Sequence, residues 1–149
     1  MIGILIPAHN EEALLPDCLK AAMVAASHPG LLGEEVQILV VLDSCSDSSA
    51  QIAQAYQVDS LEVQARNVGH VRGVGARHLL NNGARWIACT DADSRVAPDW
   101  LVAQLALDVD AVCGTVTVDA WSEGFDPAAQ IRYLQGYEAR DGHRHIHGA

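Results

Sequence analysis

Two carboxylates separated by one small residue, Asp91-Ala92-Asp93, directly follow the apolar run Trp86-Ile87-Ala88-Cys89-Thr90. A short apolar run of this kind reads as a buried strand, which would hold both carboxylates at its tip rather than on a free loop. Oxygen donors so spaced suit a hard divalent cation, Mg2+ or Mn2+, whose remaining positions are usually filled by substrate phosphates. Such an ion acts as a Lewis acid and neutralises a departing diphosphate. The tripeptide alone also fits a solvated turn. The strand in front of it favours the first reading.

Two further polar clusters stand in the same relation to apolar runs. Asp43 closes Val36 to Leu42 and opens the turn Asp43-Ser44-Cys45-Ser46-Asp47-Ser48-Ser49. Its carboxylate could accept from a nucleobase N–H or a ribose hydroxyl, or equally form an Asx-turn; Ser46 or Asp47 fits a helix cap. Pro7-Ala8-His9-Asn10-Glu11-Glu12 closes the run Ile2 to Ile6. Ala8 is small enough for a flat base to approach the backbone. Glu11 or Glu12 could bond ribose hydroxyls or favour the start of a helix through its dipole.

The elements that must position these clusters alternate between strand and helix. Leu14, Cys18, Ala21 and Ala25 recur at helical spacing, with Pro16 in the first turn and an end near Ser27. Val36 to Leu42 is almost continuously apolar, as in a strand covered on both faces. Ile52, Ala53 and Tyr56 mark a second helix, Leu61 to Gln64 an edge-side strand, and Val71, Val74 and Leu79 a third helix ended by Asn81-Asn82-Gly83. Trp86 to Thr90 is the fourth strand, and Pro98 begins a short helix carrying Leu101, Val102 and Leu105. Val109 to Val118 is expected to hold a fifth strand. The fold class that follows is α/β, a mostly parallel sheet with helices on both faces. In such sheets ligands bind at the carboxyl ends of the strands, so the three clusters share one rim.

Composition narrows the functional classes. The chain has 149 residues, is half apolar and carries a formal charge of −10 from 19 acidic residues against 9 Lys and Arg. It is long enough for one sizeable core. Nucleic acid is excluded as a partner because no basic face is visible, and a polyanionic substrate would need a cation to compensate the acidity. No apolar run approaches the roughly 20 residues of a membrane helix, and Met1 leads straight into apolar residues without a basic start or cleavage site. A cytoplasmic location is therefore expected. Cys18, Cys45, Cys89 and Cys113 form neither a zinc spacing nor a disulfide framework. Cys89 and Cys113 are expected to be buried.

Taken together, ILIPAHNEE, ILVVLDSCSDSS and WIACTDADSRVAPDWL resemble, in order and spacing, three landmarks of the inverting family-2 glycosyltransferases of GT-A fold. Those landmarks are a strand ending P-x-x-N-E, a strand ending V-V-D-D-x-S-x-D-x-T, and a strand ending D-x-D shortly before P-D. The match runs from about Ile2 to Leu101. The resemblance implies that Pro7, Ala8 and Glu11 line the nucleoside pocket and that Asp43 contacts the base. It implies that Asp91, Ala92 and Asp93 form the metal and diphosphate site, with Asp93 as the direct ligand to Mn2+ or Mg2+. Leu42 replaces the first Asp of the family's pair. Arg66 to Arg77 resembles the Asn/Gly-rich stretch before D-x-D, and Arg72 or Arg77 could reach the phosphates. The implied partners are a nucleoside-diphosphate sugar donor and an unidentified hydroxyl acceptor.

On this resemblance residues 1–118 form the nucleotide-sugar-binding domain and 119–149 the start of an incomplete acceptor-binding region, so that the sequence looks like a truncated longer enzyme. Glu123, Asp126, Glu138 and Asp141 lie near where a catalytic base belongs, without a motif to choose among them. His143, His145 and His147 could ligate a transition metal, although a short stretch without partners is more often incidental. The competing readings are a non-catalytic nucleotide-diphosphate and metal-binding module, and a nucleotidyltransferase. The second lacks the Gly-rich basic loop after the first strand. Gly73-Val74-Gly75 does not follow a strand as a dinucleotide-binding loop must.

Overall fold

The computed structural model describes residues 1–118 and 126–136. The chain divides into two compact units, Met1–Val109 and Asp110–Ala149. In the first unit β1 (Ile2–Ala8), α1 (Leu15–Ala26), β2 (Val36–Asp43), α2 (Ser49–Ala55), β3 (Asp59–Val63), α3 (Val68–Asn81), β4 (Trp86–Cys89) and α4 (Trp100–Leu105) follow one another. The sheet order is β3-β2-β1-β4, and every neighbouring pair is parallel. β3 is an edge strand, as the alternation of Leu61 to Gln64 predicts.

All seven residues of β1 are buried because the strand lies inside the sheet and is covered on both faces. Its side chains alternate. Ile2, Ile4, Ile6 and Ala8 pack with Val40, Leu42 and Ala88 against Leu15, Cys18, Leu19 and Ala22 of α1, Ala53 of α2 and Leu101 of α4. Leu5 packs on the other face with Leu39 and Val41 against Val71 and Leu79 of α3. Each of these large aliphatics contributes about 1.5–3 kcal/mol on burial, so the two-layer cover rather than helix propensity holds α3, which contains three glycines. Gly75 shows why: a Cβ there would meet Leu5 and would stand 2.9 Å from Val41 Cγ2. Only a residue without a side chain lets the helix lie this close to the sheet.

Three sequence expectations change. The buried stripe of α1 is Leu15, Cys18, Leu19, Ala22 and Ala25, whereas Leu14, counted in the apolar spacing, is half exposed; Pro16 sits in the first turn as expected, after a loop that runs to Leu14. The N-cap of α2 is Ser48, not Ser46 or Asp47, though the Asp47 carboxylate still accepts the Ser49 N–H at 3.0 Å. Val109 to Val118 forms no strand, and Val116 and Val118 are exposed. Its Val/Thr alternation has strand period, but a strand also needs a neighbouring strand, and the sheet among the described residues is β3-β2-β1-β4 without it. Cys113 is likewise exposed, not buried, and Cys89 is partly buried.

In the second unit, α5 (Pro127–Gly136) is headed by Asp126, whose Oδ1 accepts the Ala128 N–H at 3.0 Å and whose Oδ2 lies 3.5 Å from Arg132 Nη2. Glu123, Glu138, Asp141 and the three late histidines lie outside the described residues.

Candidate functional site

Parallel pairing puts all strand tips on one edge. Ala8 pairs with Leu42, one residue before Asp43, and Leu5 pairs with Cys89, two residues before Asp91. His9 and Asp43 thus stand at one level, and Asp91 stands level with Pro7, two residues or roughly 6.6 Å further back along the strands. With strands about 4.8 Å apart, the tips of β2 and β4 are separated by two spacings, roughly 10 Å.

The loops after β1 and β2 are tied together. His9 Nδ1 lies 2.6 Å from the Asp43 carbonyl oxygen, Ser46 N donates to Asn10 Oδ1 at 2.8 Å, and Glu11 N donates to Ser49 Oγ at 3.0 Å. Glu12 and Asp47 exchange hydrogen bonds across the gap. Glu12 N donates to Asp47 Oδ2 at 2.9 Å and Ser48 N donates to Glu12 Oε2 at 3.0 Å. Glu12 is thereby a structural residue, while among the described residues no such partner engages the Glu11 carboxylate. Pro7 and Ala8 are buried, so they border the rim through their backbone.

Asp43 ties in a third loop. Its Oδ1 accepts from Ala65 N at 2.8 Å, Arg66 N at 2.9 Å and Ser44 Oγ at 3.0 Å, and Oδ2 accepts from Asn67 N at 3.1 Å. Donation from the Arg66 N–H above all, with Ala65, Ser44 and Asn67, lowers its pKa to about 2. The carboxylate therefore fixes the segment between β3 and α3. Asn10, Ser44 and Arg66, one in each rim loop, have φ of 55°, 54° and 47°. Such left-handed residues cost energy and persist where surrounding bonds over-determine them. Leu32, Gln57 and Asp108 adopt the same conformation in turns elsewhere, so it does not by itself mark the site.

The tip of β4 is less committed. Ala92 is buried against the α1 side of the core and pins the tripeptide, leaving Asp91 partly and Asp93 largely exposed. Cys18 Sγ donates to the Asp91 carbonyl at 3.4 Å, and burial with the nearby Asp93, Asp91 and Glu11 charges pushes this thiol up to about 12, which makes it inert. Arg72 reaches over from α3, its Nη2 2.6 Å from Asp91 Oδ1. Arg77 instead stays exposed, with its guanidinium beside Gly73 on its own helix. Arg72 Nε is buried without a partner among the described residues, a state that ordinarily costs about 1–3 kcal/mol. Glu11 faces the same place. Partial burial foremost, then Asp93, Asp47 and Asp91, raises its pKa against the lowering effect of His9.

Among the described residues no three His, Cys, Asp or Glu side chains are close enough to hold an ion by themselves. A hard cation of the Mg2+ type needs only one or two carboxylates when phosphate oxygens complete its shell. Asp91 and Asp93, with oxygen donors only and crowded negative charge around Glu11, fit that requirement. Two surface hollows lie away from these residues: one of about 360 Å3 beside Lys20 and Arg95, one of about 600 Å3 near Ser27, Gln37 and Asp59. Neither is lined by Glu11, Asp43, Asp91 or Asp93.

Sequence reasoning missed the contributions of Asn10, Ser49, Cys18 and the backbone of 65–67. Only the Asn/Gly-rich stretch gave any signal for the last of these. The others bond across 30 or more positions of sequence, which no local pattern encodes.

The glycosyl transferase family 2 model matches residues 3–147. The chain belongs to this family. Among solved structures, S. aureus TarS superposes with a TM-score of 0.56 at 20% identity, over 70% of this chain and 19% of that one. M. tuberculosis glucosyl-3-phosphoglycerate synthase gives 0.52 at 22% identity, over 70% of this chain and 40% of that one. The same synthase, solved in complex with Mn2+, uridine diphosphate and phosphoglyceric acid, gives 0.52 at 22% identity over 70% and 38%. At these identities the likeness is one of fold, the GT-A type of α/β architecture. This family member spans well under half the length of those proteins. No curated protein matches it closely enough to count as a relative. No helix among the described residues is long and apolar enough to cross a membrane.

Proposed function

We propose that this chain binds the nucleoside diphosphate of a sugar donor across the rim and serves the donor side of an inverting glycosyl transfer. The observation that carries the reading is the Arg72–Asp91 ion pair at the tip of β4, next to the exposed Asp93, with Glu11 near enough that, after burial, the negative charges of Asp93 and Asp91 raise its pKa. Asp91 and Asp93 would hold Mn2+ or Mg2+, with Asp93, the more exposed, as the direct ligand. When bound, the ion supplies Lewis-acid stabilisation of the leaving diphosphate. Arg72 adds a fixed positive charge on the same side. Toward β2 the nucleoside lies against the backbone of Pro7 and Ala8, with Glu11 at the ribose. Asp43 acts there by fixing the 65–67 loop, and its Oδ2, with one hydrogen bond, keeps room for a base N–H. The uridine diphosphate and metal held by the synthase of like fold support this class of ligand.

Transfer itself needs an acceptor hydroxyl attacking the anomeric carbon from the face opposite the diphosphate, and a carboxylate to take its proton. None of the described rim residues is assigned that role. The chain covers only 19–40% of its structural neighbours' lengths, which favours a second reading, binding without turnover. Sugar transfer by the 149-residue chain would reject that second reading. Calorimetric titration with UDP, GDP and dTDP, each with Mn2+, Mg2+ or chelator, tests the first. Metal-dependent binding of one nucleotide, weakened about a hundredfold in Asp93→Ala, is expected; binding indifferent to chelator sinks the metal assignment.

A further inference from the structure

We propose that Arg72 is a positioning residue that couples the metal to the diphosphate: it holds Asp91 while the site is free of ligand, and passes to the diphosphate when a nucleotide arrives, releasing Asp91 to the cation. The idea rests on the donor-site reading above and adds the exchange of charge that accompanies loading.

The geometry makes the hold incomplete on both sides. Among the described residues Arg72 engages Asp91 through Nη2 alone, at 2.6 Å, and its buried Nε has no acceptor. Asp91 spends Oδ1 on that bond, and Oδ2 takes no hydrogen bond among the described residues. A guanidinium is a planar fork whose preferred partners present two oxygens at once, as phosphates do. A diphosphate entering the rim satisfies more of the fork than one Asp91 oxygen does, and gives the orphaned Nε–H a reason to swing outward. A cation arriving alone meets a carboxylate already compensated and a positive charge beside it. Either ligand then raises the affinity of the other, by the same factor.

The discriminating quantity is Mn2+ affinity, read from the electron paramagnetic resonance signal of free Mn2+ with and without UDP, GDP or dTDP. In Arg72→Gln, Mn2+ alone is expected to bind about fivefold tighter or more than in the unaltered chain, the lower end of ordinary coupling. The enhancement of Mn2+ binding by nucleotide should shrink correspondingly. Association of Mn2+ with nucleotide in solution is common to all variants and cancels in the ratio. If Arg72 merely orients Asp91, the substitution weakens Mn2+ binding; that result, or no change, overturns the proposal. Arg72→Lys keeps a charge without the fork, and decides the matter if melting curves show Arg72→Gln unfolded: its nucleotide enhancement must fall. Asp91→Asn and Asp93→Asn test the underlying reading separately. Mn2+ binding that survives both places the metal elsewhere, whatever Arg72 does.

Discussion

The β1–β2 half of the rim and the α3–β4 half use the same residue types and end in opposite states. In the first, Asn10, Asp43 and Asp47 spend every side-chain oxygen, and Glu12 one of its two, on backbone N–H groups of the rim loops. In the second, among the described residues, the exposed Asp93 meets only the Ser94 hydroxyl at 3.2 Å, Asp91 uses one side-chain oxygen, and Arg72 keeps an unmet Nε. Buried or semi-buried polar groups are ordinarily satisfied. A place where they are not, next to one where they are, separates residues that build the rim from residues held for a ligand.

The largest expected effect lies in the uncommitted half. Asp93→Ala should weaken metal-dependent nucleotide binding by about a hundredfold, roughly 2.7 kcal/mol, with an unchanged melting curve. A parallel loss of fold would erase the distinction between the halves. Next comes the support beneath it. Gly75→Ala should destabilise by about 1–2 kcal/mol net, overpacking against Leu5 and Val41 outweighing the helix-propensity gain. Gly73→Ala, whose added Cβ meets the Arg77 guanidinium at 3.5 and 4.0 Å, should be neutral or slightly stabilising when both variants are compared by urea titration. Equal effects at both positions would show that close packing of α3 does not set its place.

The committed half has a pH signature. Because Asp43 titrates at about 2 in the fold, against about 3.9 in an unfolded chain, its stabilisation is complete above about pH 4 and is lost as pH falls towards 2. Melting curves of the unaltered chain and Asp43→Asn should therefore differ most near neutrality and converge in acid. A gap that persists at pH 2 would mean the charge is not what holds the 65–67 loop. The smallest effect is expected for Glu12→Ala, about 0.5–1 kcal/mol for one exposed hydrogen bond, with nucleotide affinity unchanged within about twofold.

Much of the fold is legible along the chain because period and punctuation are local. Ile2 to Ile6 and Val36 to Leu42 announce covered strands, and Asn81-Asn82-Gly83 ends α3 at the residue expected. The Val109 to Val118 error has the same origin: its alternation is genuine, but pairing is a property of a second segment. Leu14 misled for a related reason, since a helix's spacing gives the buried arc only to within one residue until its partner face is known. At the site, the aspartates could be named from their places after strands. Which of them were spent could not.

What the sequence determined is the order of covered strands and helices, and with it that three acidic clusters fall on one edge, because apolar runs closed by polar turns allow little else. Tertiary structure alone decided how each carboxylate is used. Asp43 meets the N–H groups of 65–67 and Asp91 meets Arg72 only once β3, β2, β1 and β4 lie in register and Gly75 has let α3 down onto the sheet. The reason is range: hydrophobic period is written in neighbouring residues, whereas the partner of a carboxylate is fixed by chain that is remote in sequence and adjacent only after folding.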